Sequence, residues 1–467
     1  MGFSKFLSSR IDALRELVGI LGREFEYVSV LGADTKSLNI RADKSSSSIS
    51  EGNDYDSGFV IKLSRNGIFY EYSMDDVSPC IPDLADYICK LFPSKEFEGM
   101  PSISRQALSD EPLEENFLRE SDIDTISEED MLFFCCKLSE ELIAGSDKLL
   151  NAFTALSYID THKLFISKNR CLTQHYTWCN GAIMGVYKDN GKIVQPREIA
   201  YGPNMGSVMA ELPRLKEALI KKGNILSHAK PIEPGVYDVI TDPSITGLIA
   251  HEAFGHGVEM DQFVKDRALA KEFVGKYVAS PICNMRDGAA SALSAASYFF
   301  DDDGVLAGDT QIIKDGILVT GISDLASATQ LGTAPTGNGR RESIRRKAYA
   351  RMTNTFFEPG KDKLEDMIAS IDHGYMLFET NNGMEDPKNW AIQCVAEYGI
   401  EIIDGKLTEN YVSPVVMSGY VPDLLGSISM VSDDFKVIGS GSCGKGYKEW
   451  VRVSDGGSAL KVKVKLG

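Results

Sequence analysis

Between Leu248 and Asp261 the chain reads LIAHEAFGHGVEMD, and no other stretch restricts the local fold so tightly. Upstream, residues 235–241 read as a strand, Asp242 as a helix N-cap and Pro243 as the first helical residue. Ile245, Leu248 and Ile249 give that helix an apolar face to bury. His251 and His256 then fall near its C-terminal end, five residues apart. At about 100° per residue, side chains four apart lie roughly 40° from each other, and side chains five apart about 140°. In a regular helix the two imidazoles would point apart. A single π-turn, or unwinding at Gly255, adds one residue to a turn and brings both rings to one side. Two histidines sharing an ion here therefore demand a distorted helix. Glu252 cannot easily ligate alongside His251, but it can reach a water on such an ion as a general base.

A catalytic zinc takes three protein ligands as a rule. Glu259 and Asp261 are near in sequence, while His373, Cys283, Cys394 and Cys443 are distant candidates. Cys443 lies in VIGSGSCGKGYKEW, where glycines expose the sulfur and Lys445 favours a thiolate. Cys394, in WAIQCVAEYG, reads as a core strand residue. The nine cysteines are sparse and contain no CxxC pair, as in a protein kept reduced.

A chain of 467 residues exceeds one ordinary core, so two or three domains are expected. An amphipathic helix over 8–22 precedes short alternating segments, EYVSVLG, SLNIRAD, SGFVIKLS and GIFYEYS, which read as a meander of antiparallel strands. Residues 93–122 read as a polar connection, and Ser127 as the N-cap of a long helix. NAFTALSYIDTHKLFISKN resembles a hairpin, and MAELPRLKEALIKKGNI a single helix. A Pro-rich joint places the boundary near 228, giving an N-terminal α+β domain over 1–228 and a β-rich domain over 229–467 that carries the HEAFGH helix.

The net charge of -18 argues against sequence-independent binding to nucleic acid or anionic lipid. No apolar run reaches the ~18 residues of a membrane span, and the charged N-terminus lacks a signal-peptide pattern, so a cytoplasmic protein is expected. FFDDDG, ending at Gly304, reads as a solvated acidic turn. TGNG lacks the Lys-Ser/Thr of a phosphate loop.

HEAFGHGVEMD, FFDDDG, APTGNGRRES, ARMTNTFFEPGK and GSCGKG, in this order, resemble the TldD/PmbA family of metallopeptidases over about 235–465. The resemblance implies a Zn2+ site built from His251, His256 and Cys443, with Glu252 as catalytic base. It implies hydrolysis of short or unfolded peptides through a metal-activated water, in a dimer enclosing an inner cavity. It also suggests a peptide-cleft role for Arg340 and Arg341, which could clamp a carboxylate or carbonyl, and for Thr353, Asn354 and Thr355. The family's usual Gly-Gln pair is replaced here by Tyr447 and Lys448. A homodimer is the first expectation, a heterodimer with a metal-free paralogue the second. The alternative function is a non-catalytic peptide-binding partner subunit, against which the intact HExxxH motif argues.

Overall fold

A computed structural model describes residues 2–65, 67–93, 111–446 and 448–467, leaving the side chain of Ser440 aside. Tyr447 and most of the expected polar connection over 93–122 thus lie outside the described residues. The fold is α+β. A nine-stranded sheet runs in the order Ile68–Met74, Asp56–Arg65, Tyr27–Asp43, Leu149–Ser167, Arg170–Asp189, Leu113–Leu118, with three short strands paired alongside.

Its central strands are far longer than the sequence suggests. EYVSVLG and SLNIRAD belong to one strand of 17 residues. The expected hairpin at 151–169 is also one strand, Leu149–Ser167, paired antiparallel with Arg170–Asp189 from Leu149↔Tyr187 to Ile166↔Cys171. Helices cover one face of this sheet in two groups. Ile11–Leu21 and Ile81–Leu91 pack on Val28, Val30, Ile61 and Leu164. Glu128–Ala144, Met205–Glu211 and Lys216–His228 pack on Ile40, Leu156 and Ile183. Ser127 caps the first of these, accepting from the Asp130 N–H at 3.0 Å. The expected helix around residue 213 is interrupted by a 3-10 turn, Leu212–Leu215, because Pro213 has no N–H to continue the ladder.

The downstream half begins with the strand Gly235–Thr241. With His373–Asp386, Ala391–Ile403, Val415–Tyr420 and Leu460–Leu466 it closes a five-stranded barrel, because the last strand pairs back onto the first. A separate six-stranded sheet ends with Lys448–Gly457 and, at its edge, Lys436–Lys445. The helix starting at Pro243 sits between barrel and sheet within one shared core. A Cβ at Gly247 would lie 2.4 Å from the Gly456 backbone nitrogen, so only glycine permits this approach.

The second face of the nine-stranded sheet meets the downstream half. Ala33 and Val60 pack on Ile344, and Phe165 and Leu172 on Phe300. Here the expectation of a solvated acidic turn is corrected. Asp301, Asp302 and Asp303 are buried, with Lys62 paired to Asp303 and Lys163 to Asp302. Burying Asp302 and Asp303 is tolerable because cations from the sheet face them, while Asp301 accepts the Gly339 N–H at 2.7 Å and the Val305 N–H at 2.9 Å. No helix among the described residues is long and apolar enough to cross a membrane.

Candidate metal centre

Asp242 starts the central helix by accepting the Ile245 N–H at 2.8 Å, with Pro243 at its first position. The helix is regular only to Leu248. Ile249–Gly255 winds as a π-helix, and His256–Val258 follows as a 3-10 turn. This is the wide turn that the five-residue spacing demands. The His251 and His256 rings stand 5.1 Å apart, nearly perpendicular at 86°. A Cβ at Gly255 would fall 2.1 Å from the Met352 Sδ, so the turn closes against the protein without a side chain there.

Cys443 reaches the same point from the edge strand Lys436–Lys445, its Sγ 3.3 Å from His256 Nε2. One donor atom from each of His251, His256 and Cys443 lies within 4.8 Å of the others. Two imidazoles and a thiol, converging and nearly dry, are a donor set suited to Zn2+. Burial alone would raise the Cys443 thiol, but the two histidines outweigh it and hold the thiol down to about 4. Burial likewise works against a charged His251, and the thiolate with Glu252 lifts it to about 9. The pocket therefore favours positive charge against a thiolate. Among the described residues the buried His251 Nδ1 has no hydrogen-bond partner. The Glu252 carboxylate stands 3.9 Å from His251 Nε2 and 3.8 Å from His256 Nε2, close to both donors but bonded to neither.

A surrounding set of charges fixes these groups, and sequence reasoning missed most of it. Glu259 is fully buried and accepts from His256 Nδ1 at 3.3 Å and from Arg351 Nε at 3.2 Å, with Lys445 Nζ at 3.1 Å. Burial would raise its carboxyl, yet Lys445 and His256 hold it well below the usual carboxylate range. Because Glu259 engages the nitrogen opposite to Nε2, it orients His256 and cannot be the further ligand that its position near the motif suggested. Arg351 also donates to Cys443 Sγ at 3.1 Å and to the Cys443 carbonyl at 3.0 Å. In the sequence it is one arginine in ARMTNTFFEPG, between the strands Tyr349–Ala350 and Asn354–Phe357, with no spacing that ties it to the histidines. Asp261 accepts from Lys445 at 2.6 Å.

The other ligand candidates are elsewhere. Cys283 and Cys394 are core residues, and exposed His373 pairs with Glu401 at 3.0 Å. A second donor group, Asp160, His162 and His175, is buried in the nine-stranded sheet. Its imidazoles stack in parallel at 3.9 Å and each Nε2 meets a different oxygen of Asp160, so the donors do not converge on an ion.

The expected peptide contacts need correction. Thr353, Asn354 and Thr355 are completely buried; both threonine hydroxyls donate to Asp287, and Asn354 Nδ2 donates to the Ala292 carbonyl at 3.0 Å. Arg341 is buried against Glu71 at 3.1 Å. These four brace the framework. Arg340 donates to the Met352 carbonyl at 2.6 Å and lines a separate cavity of about 480 Å³ against the nine-stranded sheet.

The metal centre opens on a larger cavity of about 980 Å³, walled by the glycine-rich edge strand and by residues 380–388. Two further acids face it. Burial pushes the Glu385 carboxyl up to about 8 and that of Asp455 up to about 6.

Residues 234–463 match the sequence profile of the PmbA/TldA metallopeptidase C-terminal domain. A metalloprotease of Methanocaldococcus jannaschii is 30% identical over 310 residues, covering 66% of this chain and 68% of that protein. A zinc metalloprotease TldD homologue of Saccharolobus solfataricus is 33% identical over 247 residues, 52% of this chain and 54% of that one. The crystal structure of TldE from Thermococcus kodakarensis superposes with a TM-score of 0.74 at 18% identity, covering 97% of this chain and all of the other, which establishes the shared fold.

Proposed function

The chain belongs to the PmbA/TldD family of metallopeptidases, and from that premise we propose that it is a zinc-dependent peptidase acting on short or unfolded peptides. One observation carries the reading: His251, His256 and Cys443 converge at the floor of a peptide-sized cavity with the Glu252 carboxylate within 4 Å of both imidazoles. Zn2+ held by these three residues would supply Lewis acidity to a water and to the scissile carbonyl. Glu252 would act as the general base at that site, accepting a proton from the attacking water and returning it to the leaving amine. Glu259 keeps His256 in the tautomer that leaves Nε2 free for the metal, and Arg351 donates to the Cys443 sulfur.

Glu252→Gln separates this reading from a non-catalytic peptide-binding subunit. An enzyme loses hydrolysis of a mixed peptide library by at least about 100-fold while still holding zinc, since a general base contributes 10²–10⁴-fold. A binding subunit shows no chelator-sensitive hydrolysis to lose. Cys443→Ala must lower zinc content; unchanged occupancy removes Cys443 from the ligand set. As the assembly we propose a cytoplasmic homodimer with residues 1–228 walling the inner cavity, and the mass in solution distinguishes it from a heterodimer.

A further inference from the structure

Among the described residues no hydrogen bond holds the Glu252 carboxylate, whose oxygens come no closer than 3.8 Å to the Nε2 of either imidazole. A general base works only when its carboxylate is aimed, so packing has to do the aiming. The packing partner is Gly383. A Cβ there would lie 2.6 Å from Glu252 Cγ and 3.2 Å from Glu252 Cβ, with Leu248 Cδ1 at 2.9 Å. The stem of Glu252 therefore rests on bare backbone, and the position of that backbone decides where the carboxylate points.

Gly383 lies on the strand His373–Asp386, which is tied to the metal-bearing helix at both ends. Asp242 caps that helix through Oδ1 and accepts the Glu379 N–H through Oδ2 at 3.1 Å. Ser244 Oγ accepts the Thr380 N–H at 3.2 Å, and beyond Gly383 the Glu385 carboxylate accepts the Gly257 N–H at 3.1 Å. Between these ties the strand is irregular. Its pairing with Ala391–Ile403 shifts register between Thr380 and Asn382, and Glu379 holds a φ of +56°. A side chain other than glycine persists in that conformation only where its surroundings hold it. The grip comes from the N-terminal half. Lys222, on the helix Lys216–His228, is buried and meets Glu379 at 2.6 Å and Glu198 at 2.7 Å. Lys222 does not itself line the metal cavity.

We propose that Gly383 is the positioning residue of the general base, and that Lys222, through Glu379, sets the strand on which Gly383 stands. The half of the chain that holds no metal ligand thereby governs turnover at the metal centre. This inference rests on the peptidase reading and adds two residues to its machinery.

The test uses the zinc-loaded full chain, Gly383→Ala, and Lys222→Met combined with Glu379→Gln so that both charges of the pair are removed together. Zinc content should match wild type and KM should stay within about twofold. In contrast, kcat should fall by about 100-fold in Gly383→Ala, the scale of a 1 Å misplacement, and by about tenfold in the combined variant. Each substitution is then repeated in Glu252→Gln. There it should lower kcat no further, because the group it displaces is gone; an undiminished loss means general damage and overturns the proposal. Wild-type kcat in Gly383→Ala also overturns it, and wild-type kcat in the combined variant overturns the part played by Lys222. Should the combined variant not fold, Glu379→Gln alone, which keeps the shape of the side chain, reads the same link. If wild type hydrolyses no peptide, the peptidase reading has failed, and positioning is read from the Co2+-substituted protein. The pH midpoint of its visible spectrum should move in Gly383→Ala in the same direction as in Glu252→Gln. A midpoint that only Glu252→Gln moves rejects the positioning role.

Discussion

Glu259 shows how much of this centre depends on one side chain outside the ligand set. It joins His256, Arg351 and Lys445, and is itself only 1% exposed. Removing its charge frees the His256 ring and leaves buried Arg351 without its carboxylate, while Lys445 keeps only Asp261. Glu259→Gln is therefore expected to cost 3–5 kcal/mol, the range for breaking one partner out of a buried pair. Zinc affinity should drop 10–100-fold at the same time, as for other residues that orient a metal-bound histidine. Urea unfolding and a competitive chelator titration read the two effects separately. A variant with wild-type affinity would make Glu259 a stability residue alone. The sequence offered Glu259 only as a candidate ligand, because spacing cannot say which imidazole nitrogen a neighbouring carboxylate will face.

Legibility differed sharply between elements. The π-turn could be anticipated, since two imidazoles five residues apart meet only if the helix widens, and Gly255 permits it. The long strands could not. In Leu149–Ser167 the polar run Asp160, Thr161, His162, Lys163 resembles a turn, yet Asp160 pairs with His175, His162 Nδ1 accepts the Ser4 N–H and Lys163 pairs with Asp302. Their partners are remote in sequence, so a strand that buries polar groups reads locally as a break. Asp301–Asp303 were misread for the same reason. The wide turn also yields a sharp prediction. Gly255→Ala pushes a methyl into Met352, and overpacking of this kind costs about 1–3 kcal/mol. Met352→Ala in the same chain should recover part of that loss, with zinc binding recovering alongside. Gly247→Ala, which collides with the Gly456 backbone, has no such rescue. If Gly255→Ala melts like wild type, the wide turn does not depend on glycine.

At the scale of the whole molecule, the nine-stranded sheet is joined to the half carrying the metal centre through a buried network of charges. Glu71 receives Lys62 at 3.2 Å within the sheet and Arg341 at 3.1 Å across the joint, while Lys62 also pairs with Asp303. Burial would raise the Glu71 carboxyl, but Lys62 and Arg341 hold it down to about 2, against 4.5 for an ordinary glutamate. A depressed carboxyl stabilises the fold fully above about pH 4.5, where both states are ionised. Below that, the unfolded chain binds a proton that the folded one refuses, and about 1.4 kcal/mol is lost per pH unit until the folded value is passed. The total is on the order of 3 kcal/mol at neutral pH. Asp56, pushed up by burial to about 6, works in the opposite direction between 3.8 and 6 and would obscure a raw melting curve. It is present in wild type and in Glu71→Gln alike, so the difference between the two proteins removes it. That difference in unfolding free energy should be steady from pH 7 to 5 and fall below half its neutral value by pH 3. A gap that stays constant over this range would mean that Glu71 acts through packing, and that the joint does not depend on its charge.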